Sequence, residues 1–299
     1  MAEFSNIAMA DVGEVTLAYE TFGDRAVPPV LLIMGLATQM LGWPDEFCSA
    51  LAGRGLFVVR FDNRDIGLST HLHDAPPADV MAAFAGDTSS PSYTLSDMAA
   101  DAAGLLEALG IESAHVVGIS MGGMIAQTMA IEHSARVRSL TSIMSTTGDR
   151  SVGTATEAAM AVLLAAPATN RDEAMQRAVT TYRVIGSPGY PFDEERVRDV
   201  AARSYDRAYD PPGVGRQLLA ILASGDRTPR LADVRTPTLV IHGADDPLVD
   251  VSGGRATAQA IPGAKLVVLE GMGHDLPRDL WPVLVDHITD LVRSVERGP

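Results

Sequence analysis

A glycine-flanked serine stands where an apolar run gives way to a helical pattern, in Val116-Val117-Gly118-Ile119-Ser120-Met121-Gly122-Gly123-Met124-Ile125-Ala126. A serine hydroxyl becomes a useful nucleophile only when it is exposed beside a base. The spacing here supplies the exposure. A strand that turns at once into a helix drives together the residues two before and two after the turn, so neither tolerates a side chain. Gly118 and Gly122 meet that demand. The turn also sets the N–H of Met121 at a helix N-terminus, where the dipole favours negative charge. Such a Gly-x-Ser-x-Gly junction is a nucleophile elbow. The competing reading is a glycine-rich turn in which Ser120 only caps the helix. Residues 114–117 weigh against it because they read as a buried parallel strand, and Met124, Ile125, Thr128, Met129 and Glu132 follow at helical spacing.

A nucleophilic Ser120 needs a base, and the base needs an orienting acid. On strand–helix elbows the chain order is serine, acid, histidine. Two downstream loops follow expected strands, His242-Gly243-Ala244-Asp245-Asp246-Pro247 and Glu270-Gly271-Met272-Gly273-His274-Asp275. Both lie at the sheet edge that carries Ser120, which lets distant residues meet. Of the seven histidines, His71 and His73 sit in a polar loop, His115 lies ahead of the elbow, and His133 and His287 lie on helices. His242 ends a strand and reads as a core residue. Only His274 follows both the acid and the last strand, in a glycine-flanked loop, and it is the candidate base. Asp246 is the candidate acid rather than Asp245. Gly243 lets the chain leave the strand, and Pro247 holds the residue before it extended, so Asp246 faces the site and Asp245 faces water. An oxyanion would need two backbone donors. Met121 N–H is one; Leu36 N–H, in the Gly35-Leu36 loop after the apolar run 30–34, is the other.

Positioning these groups takes a sheet. Residues 14–20 alternate as a half-buried strand, with an earlier partner expected near 6–9. Buried strands are expected at 30–34, 56–61, 114–117 and 137–143, with helices at 45–53, from Thr94 to Gly110, and after the elbow. Residues 71–91 read as a polar loop. This βα alternation gives a parallel sheet with helices on both faces. From 146 to 235 only helices are expected, at 157–164, 171–185, 193–209 and 213–222. Strands resume at 238–242 and 264–269, and a helix at 279–295 closes the chain. The expected organisation is a core of residues 1–145 and 236–299 with a helical cap subdomain, 146–235, folded over the sheet edge where such folds bind ligands.

A net charge of −15 argues against nucleic acid and anionic membrane surfaces as partners. Hydrophobic residues make up 46% of the chain, enough for a large core, yet no run reaches membrane-span length. Neither a secretory signal nor a disulfide is expected, since the N-terminus lacks a basic and apolar leader and Cys48 is the single cysteine; Cys48 reads as a packed thiol. A cytoplasmic protein is the expectation.

Met34-Gly35-Leu36, Asp62-Asn63-Arg64-Asp65-x-Gly67-x-Ser69, Gly118-x-Ser120-Met121-Gly122-Gly123, Gly243-x-x-Asp246-Pro247 and Gly271-Met272-Gly273-His274 together resemble the α/β-hydrolase family. Within it the chain is similar to actinobacterial carboxylesterases and lipases related to aclacinomycin methylesterase, from about Asp11 to Arg293. The resemblance implies an α/β-hydrolase fold with a mostly parallel eight-stranded sheet and a helical cap inserted after the sixth strand. It also implies a serine carboxylic ester hydrolase without cofactor or metal, acting through an acyl-enzyme on a small to medium apolar ester. The family pattern Gly-x-x-Asp agrees with Asp246. Many relatives carry His where Met34 stands, which removes a polar group from the pocket wall and leaves the Leu36 donor intact. The Asp62–Ser69 segment reads as a structural turn. Lactonase, thioesterase, perhydrolase, C–C hydrolase or acyltransferase chemistry would use the same three residues, and a ligand-binding receptor on a hydrolase scaffold is the alternative from another class. The oligomeric state is not legible.

Overall fold

The computed structural model describes residues 7–89 and 91–298. At the N-terminal edge β1 (Ala8–Val12) and β2 (Val15–Phe22) form an antiparallel hairpin. The hairpin turns at Gly13, whose φ of 58° is left-handed. The first strand thus begins later than expected; Asn6 lies outside the described residues. β3 (Pro29–Ile33), β4 (Phe57–Phe61), β5 (Ala114–Ile119), β6 (Val137–Ile143), β7 (Thr238–Gly243) and β8 (Lys265–Leu269) complete an eight-stranded sheet. Its order is β1-β2-β4-β3-β5-β6-β7-β8, with β2 antiparallel to β4 and every pairing from β4 to β8 parallel.

Central strands have both faces covered, so they read as apolar runs rather than alternations. One face of the sheet packs on α3 (Leu95–Ala108) and α4 (Met121–Glu132), through Leu95, Met98, Leu105, Ile125 and Met129. The other packs on α1 (Asp45–Gly53) and the final helix, Trp281–Glu296, through Phe47, Leu51, Trp281, Leu284 and Ile288. Cys48, on α1, is buried in this layer, and burial pushes its thiol up to about 12, which makes it inert as the packed reading expects. The stretch 71–91 is not all loop, because α2 (Val80–Phe84) forms within it, its first turn capped by Asp79; Ser90 lies outside the described residues.

Between β6 and β7 the described chain is helical: α5 (Glu157–Leu163), α6 (Arg171–Ile185), α7 (Glu194–Arg207), α8 (Pro211–Ser224) and α9 (Thr228–Leu231). Thr156, Asn170 and Asp193 cap the first three through their side chains. Sequence periodicity did not anticipate α9, nor α10 (Val251–Ala260), which lies between β7 and β8. The final helix is α11.

Buried ion pairs join this helical block to the turn after β4. Arg207 at the end of α7 meets Asp62 at 3.0 Å, and Arg216 of α8 meets Asp65 at 2.7 Å. The turn itself is dense with bonds: Asp62 accepts from Met40 and Leu68 N–H, and Ser69 Oγ donates to Asp62 O at 2.6 Å. Asp65 holds a left-handed φ of 66°. The segment is therefore a structural turn, as its sequence suggests.

Candidate active site

β5 ends at Ile119 and α4 begins at Met121, leaving Ser120 alone to make the corner. It does so at φ 55°, ψ −120°, a region non-glycine residues avoid unless their surroundings enforce it. The enforcement is visible. Ser120 N–H donates to Ile143 O at 2.9 Å, and Ser145 Oγ donates to Ser120 O at 2.8 Å. A Cβ on Gly118 would overlap the Gly122 carbonyl, and one on Gly122 would overlap the Ile33 carbonyl. Both glycines are there for close approach.

His274 Nε2 lies 3.0 Å from Ser120 Oγ, and His274 Nδ1 lies 2.7 Å from Asp246 Oδ2. Serine, histidine and acid thus form one hydrogen-bonded line across the C-terminal ends of β5, β7 and β8. The loop after β8 is held from behind by the helical block: His274 N–H donates to Ile185 O at 2.7 Å, and Gly189 N–H to Gly271 O at 2.9 Å. Ser187 also hydrogen-bonds the Asp275 carboxylate.

Asp246 is 5% exposed and fully engaged. Its Oδ1 accepts from Leu248 and Val249 N–H, each at 2.9 Å. Burial alone would push its carboxyl up; the facing His274 ring, the His242 ring and the Val249 amide overcome this and hold it well below the usual carboxylate range. An ionised acid beside Nδ1 keeps that nitrogen protonated and leaves Nε2 free to accept from Ser120.

Asp245 is exposed, yet it does not simply face water: its Oδ2 accepts from Gly271 N–H at 2.8 Å, tying the acid loop to the histidine loop. Gly243 also differs from its expected role. It is the last residue of β7 and not left-handed; a Cβ there would overlap the Met272 carbonyl. His242 is fully buried, as a core residue should be, with Nε2 donating to Val249 O at 2.7 Å. Sequence reasoning did not foresee that its ring would lie 3.6 Å from Asp246 Oδ2; the four-residue spacing to Asp246 was the available signal.

The loop after β3 runs against the elbow: a Cβ on Gly35 would stand 3.2 Å from Ser120 Cβ. Leu36 and Met121 thus flank Ser120. Among the described residues neither of their amides donates to a protein acceptor. Met34 is buried in the core, its carbonyl accepting from Asn63 Nδ2 at 3.0 Å.

Among the described residues one set, His71, His73 and Asp210, brings metal-ligand atoms within 4.8 Å of one another. It reads instead as a hydrogen-bonded chain. Both His71 ring nitrogens already face acceptors, Asp210 at 2.7 Å and Gly67 O at 2.9 Å, and the Arg216 guanidinium lies 3.5 Å from the same Asp210 oxygen. A dication would have to displace that bond beside a fixed positive charge.

A mostly parallel sheet with a strained serine at a strand–helix corner defines a class, and the chain's likenesses agree with it. The family described as alpha/beta hydrolase fold matches residues 28–277, and the chain belongs to that family of enzymes. It is 33% identical to rhodomycin D methylesterase DauP of Streptomyces sp. (strain C5), over 88% of this chain and 90% of that one. It is 27% identical to 3-oxoadipate enol-lactonase 2 of Acinetobacter baylyi, over 86% of each. Among solved structures, the enol-lactonase from Burkholderia xenovorans LB400 superposes with a TM-score of 0.71 at 24% identity, covering 96% of this chain and all of that one; at that identity the likeness speaks for the fold. No helix among the described residues is long and apolar enough to cross a membrane.

Proposed function

We propose that this chain is a serine carboxylic ester hydrolase working through an acyl-enzyme on a small to medium apolar ester. The observation that carries the reading is the line from Ser120 Oγ through His274 to Asp246, at 3.0 and 2.7 Å. In the proposed cycle Ser120 Oγ attacks the ester carbonyl carbon while His274 Nε2 takes its proton. The carbonyl oxygen becomes an oxyanion facing the Leu36 and Met121 amides. Collapse breaks the bond to the alkoxy oxygen, which leaves with the proton from His274 as an alcohol. A water then gives its proton to His274 and attacks the acyl carbon, and Ser120 recovers the proton as the acid departs.

Residues 146–235 are the proposed cap over this edge, with the half-buried Leu163 and Leu218 as candidate pocket residues. The similarity to a methylesterase supports methyl esters of apolar acids as first substrates to try. The similarity to an enol-lactonase favours one second reading, opening of a lactone through the same acyl-enzyme.

A fluorophosphonate probe tests both. Labelling is expected at Ser120 and lost in Ser120→Ala, with ester turnover falling by several orders of magnitude, since the remaining binding groups give only ~10³–10⁴ over water. A Ser120→Ala protein that keeps a tenth of the wild-type rate overturns the assignment. Methyl esters assayed beside lactones separate the two readings.

A further inference from the structure

The loop that carries Leu36 is fastened to the helical block by two buried glutamines. Gln217, on α8 and fully buried, accepts from Ala37 N–H through Oε1 at 3.1 Å and donates through Nε2 to Arg64 O at 2.8 Å. The amide has one possible orientation. Ala37 N–H only donates and the Arg64 carbonyl only accepts, so the oxygen must face the first and the nitrogen the second. Gln39, 4% exposed, donates to Ser204 O and Ala208 O at 2.8 and 3.0 Å, at the C-terminal end of α7, and accepts from Arg207.

These ties fall where the backbone needs them. Ala37 sits at φ 60°, the left-handed region that a residue with a Cβ leaves unless it is held. The peptide plane between Leu36 and Ala37 is gripped at both ends: its N–H by Gln217, its carbonyl oxygen by Thr38 Oγ1 at 3.1 Å. That plane is joined through the single Leu36 Cα to the one that carries the Leu36 N–H, so a loop left free to turn about ψ of Leu36 and φ of Ala37 holds the Leu36 amide less firmly against Ser120. We propose that Gln217 is a positioning residue for the oxyanion loop, so that docking of the helical block on the sheet sets the aim of the Leu36 N–H. The inference rests on the ester-hydrolase reading. It adds that the cap supports transition-state stabilisation as well as roofing the pocket.

Two variants and two readouts test it. Gln217→Met keeps the volume and removes both bonds. Its kcat on a short ester should fall by on the order of 10², the effect of misplacing or losing one oxyanion donor, while KM changes far less. Amide hydrogen exchange in the peptide spanning residues 35–40 should speed up. A wild-type kcat with wild-type exchange overturns the proposal, as does a loss carried by KM alone. Gln217→Glu serves if the first variant fails to fold. Protonated, its carboxyl accepts from Ala37 N–H and donates to Arg64 O as the amide does; ionised, it repels the Arg64 carbonyl. The ratio of its kcat to wild type should therefore rise as pH falls, and a flat ratio overturns the clamp. If the wild-type protein turns over no ester, the ester reading fails by itself and the exchange measurement still decides the clamp.

Discussion

His274 and Asp246, 28 residues apart in sequence, meet at 2.7 Å, Nδ1 to Oδ2, with the acid's other oxygen occupied by two backbone amides. A carboxylate held at three points cannot swing, so the imidazole it faces is fixed in both tautomer and orientation. The neighbouring Asp245 has a different job, bonding Gly271 N–H at 2.8 Å.

That division predicts unequal effects of one substitution. Asp246→Asn presents a neutral amide to Nδ1, favours the wrong tautomer, and should lower kcat by on the order of 10⁴. Asp245→Asn keeps an acceptor for Gly271 N–H, and kcat should fall by less than about tenfold. Steady-state kinetics of both variants on one short ester checks this. A larger loss at Asp245 reverses the assignment.

The pH profile follows from the same pair. Asp246 is held ionised well below the usual carboxylate range, so it takes up no proton in the pH span where the enzyme is assayed. Asp246 then adds no proton to the acid limb of kcat/KM, which should rise with unit slope. A slope of two on that limb would mean a second group titrates there and would count against Asp246 as the partner.

The elbow was legible because its demands are local. Gly118 and Gly122 sit two residues either side of Ser120, and the collision they avoid belongs to the turn itself. Chain order singled out His274, and Gly243 with Pro247 singled out Asp246; the fold brings the two side chains together at 2.7 Å. Tertiary substitutions for local rules were not legible. α10 carries Gly253 and Gly254, each costing about 1 kcal/mol of helix propensity relative to Ala, so no helix shows in the sequence. In the fold a Cβ on Gly254 would overlap His242, and one on Gly253 would stand 3.0 Å from Thr146 Cβ. Packing decides that helix. Gln217 was hidden for a related reason: its partners Ala37 and Arg64 lie 180 and 153 residues away.

Stability should depend on the turn that anchors the helical block. Asp65 and Arg216 are 0% and 3% exposed, and removing one partner of a buried pair strands the other charge. Burial pushes the Asp65 carboxyl up, but the Arg216 guanidinium and the Leu72 amide hold it below its ordinary value of 3.8. Asn accepts the left-handed φ at this position, so Asp65→Asn isolates the charge. It should destabilise the protein by about 3 kcal/mol in urea titrations near neutral pH. A depressed acid contributes its stability above the unfolded value and loses it as pH falls through the folded one. The gap between wild type and variant should therefore be full well above pH 3.8 and shrink below it. A gap that stays constant down to strong acid would mean the charge is not what stabilises the turn.

The proposed cap makes a last prediction about selectivity. Leu163 ends α5 and Leu218 lies on α8 one residue beyond Gln217; both are half-buried, neither sealed in the core nor fully in water. Residues that line a pocket roof contribute uniform binding, which lowers KM for substrates long enough to reach them and leaves the chemical step alone. Shortening either leucine to Ala removes about three carbons of apolar contact, on the order of 1–3 kcal/mol for a ligand that fills the space. Leu163→Ala and Leu218→Ala should therefore shift the preferred acyl length in a series of p-nitrophenyl esters. Turnover of the acetate, too short to touch them, should stay close to wild type. This signature differs from that of Gln217→Met, which should lower kcat across the whole series without moving its optimum. If the leucine variants leave the chain-length profile unchanged, the roof of the pocket lies elsewhere on the helical block. If Leu218→Ala depresses every ester equally, that residue acts through α8 on the oxyanion loop instead.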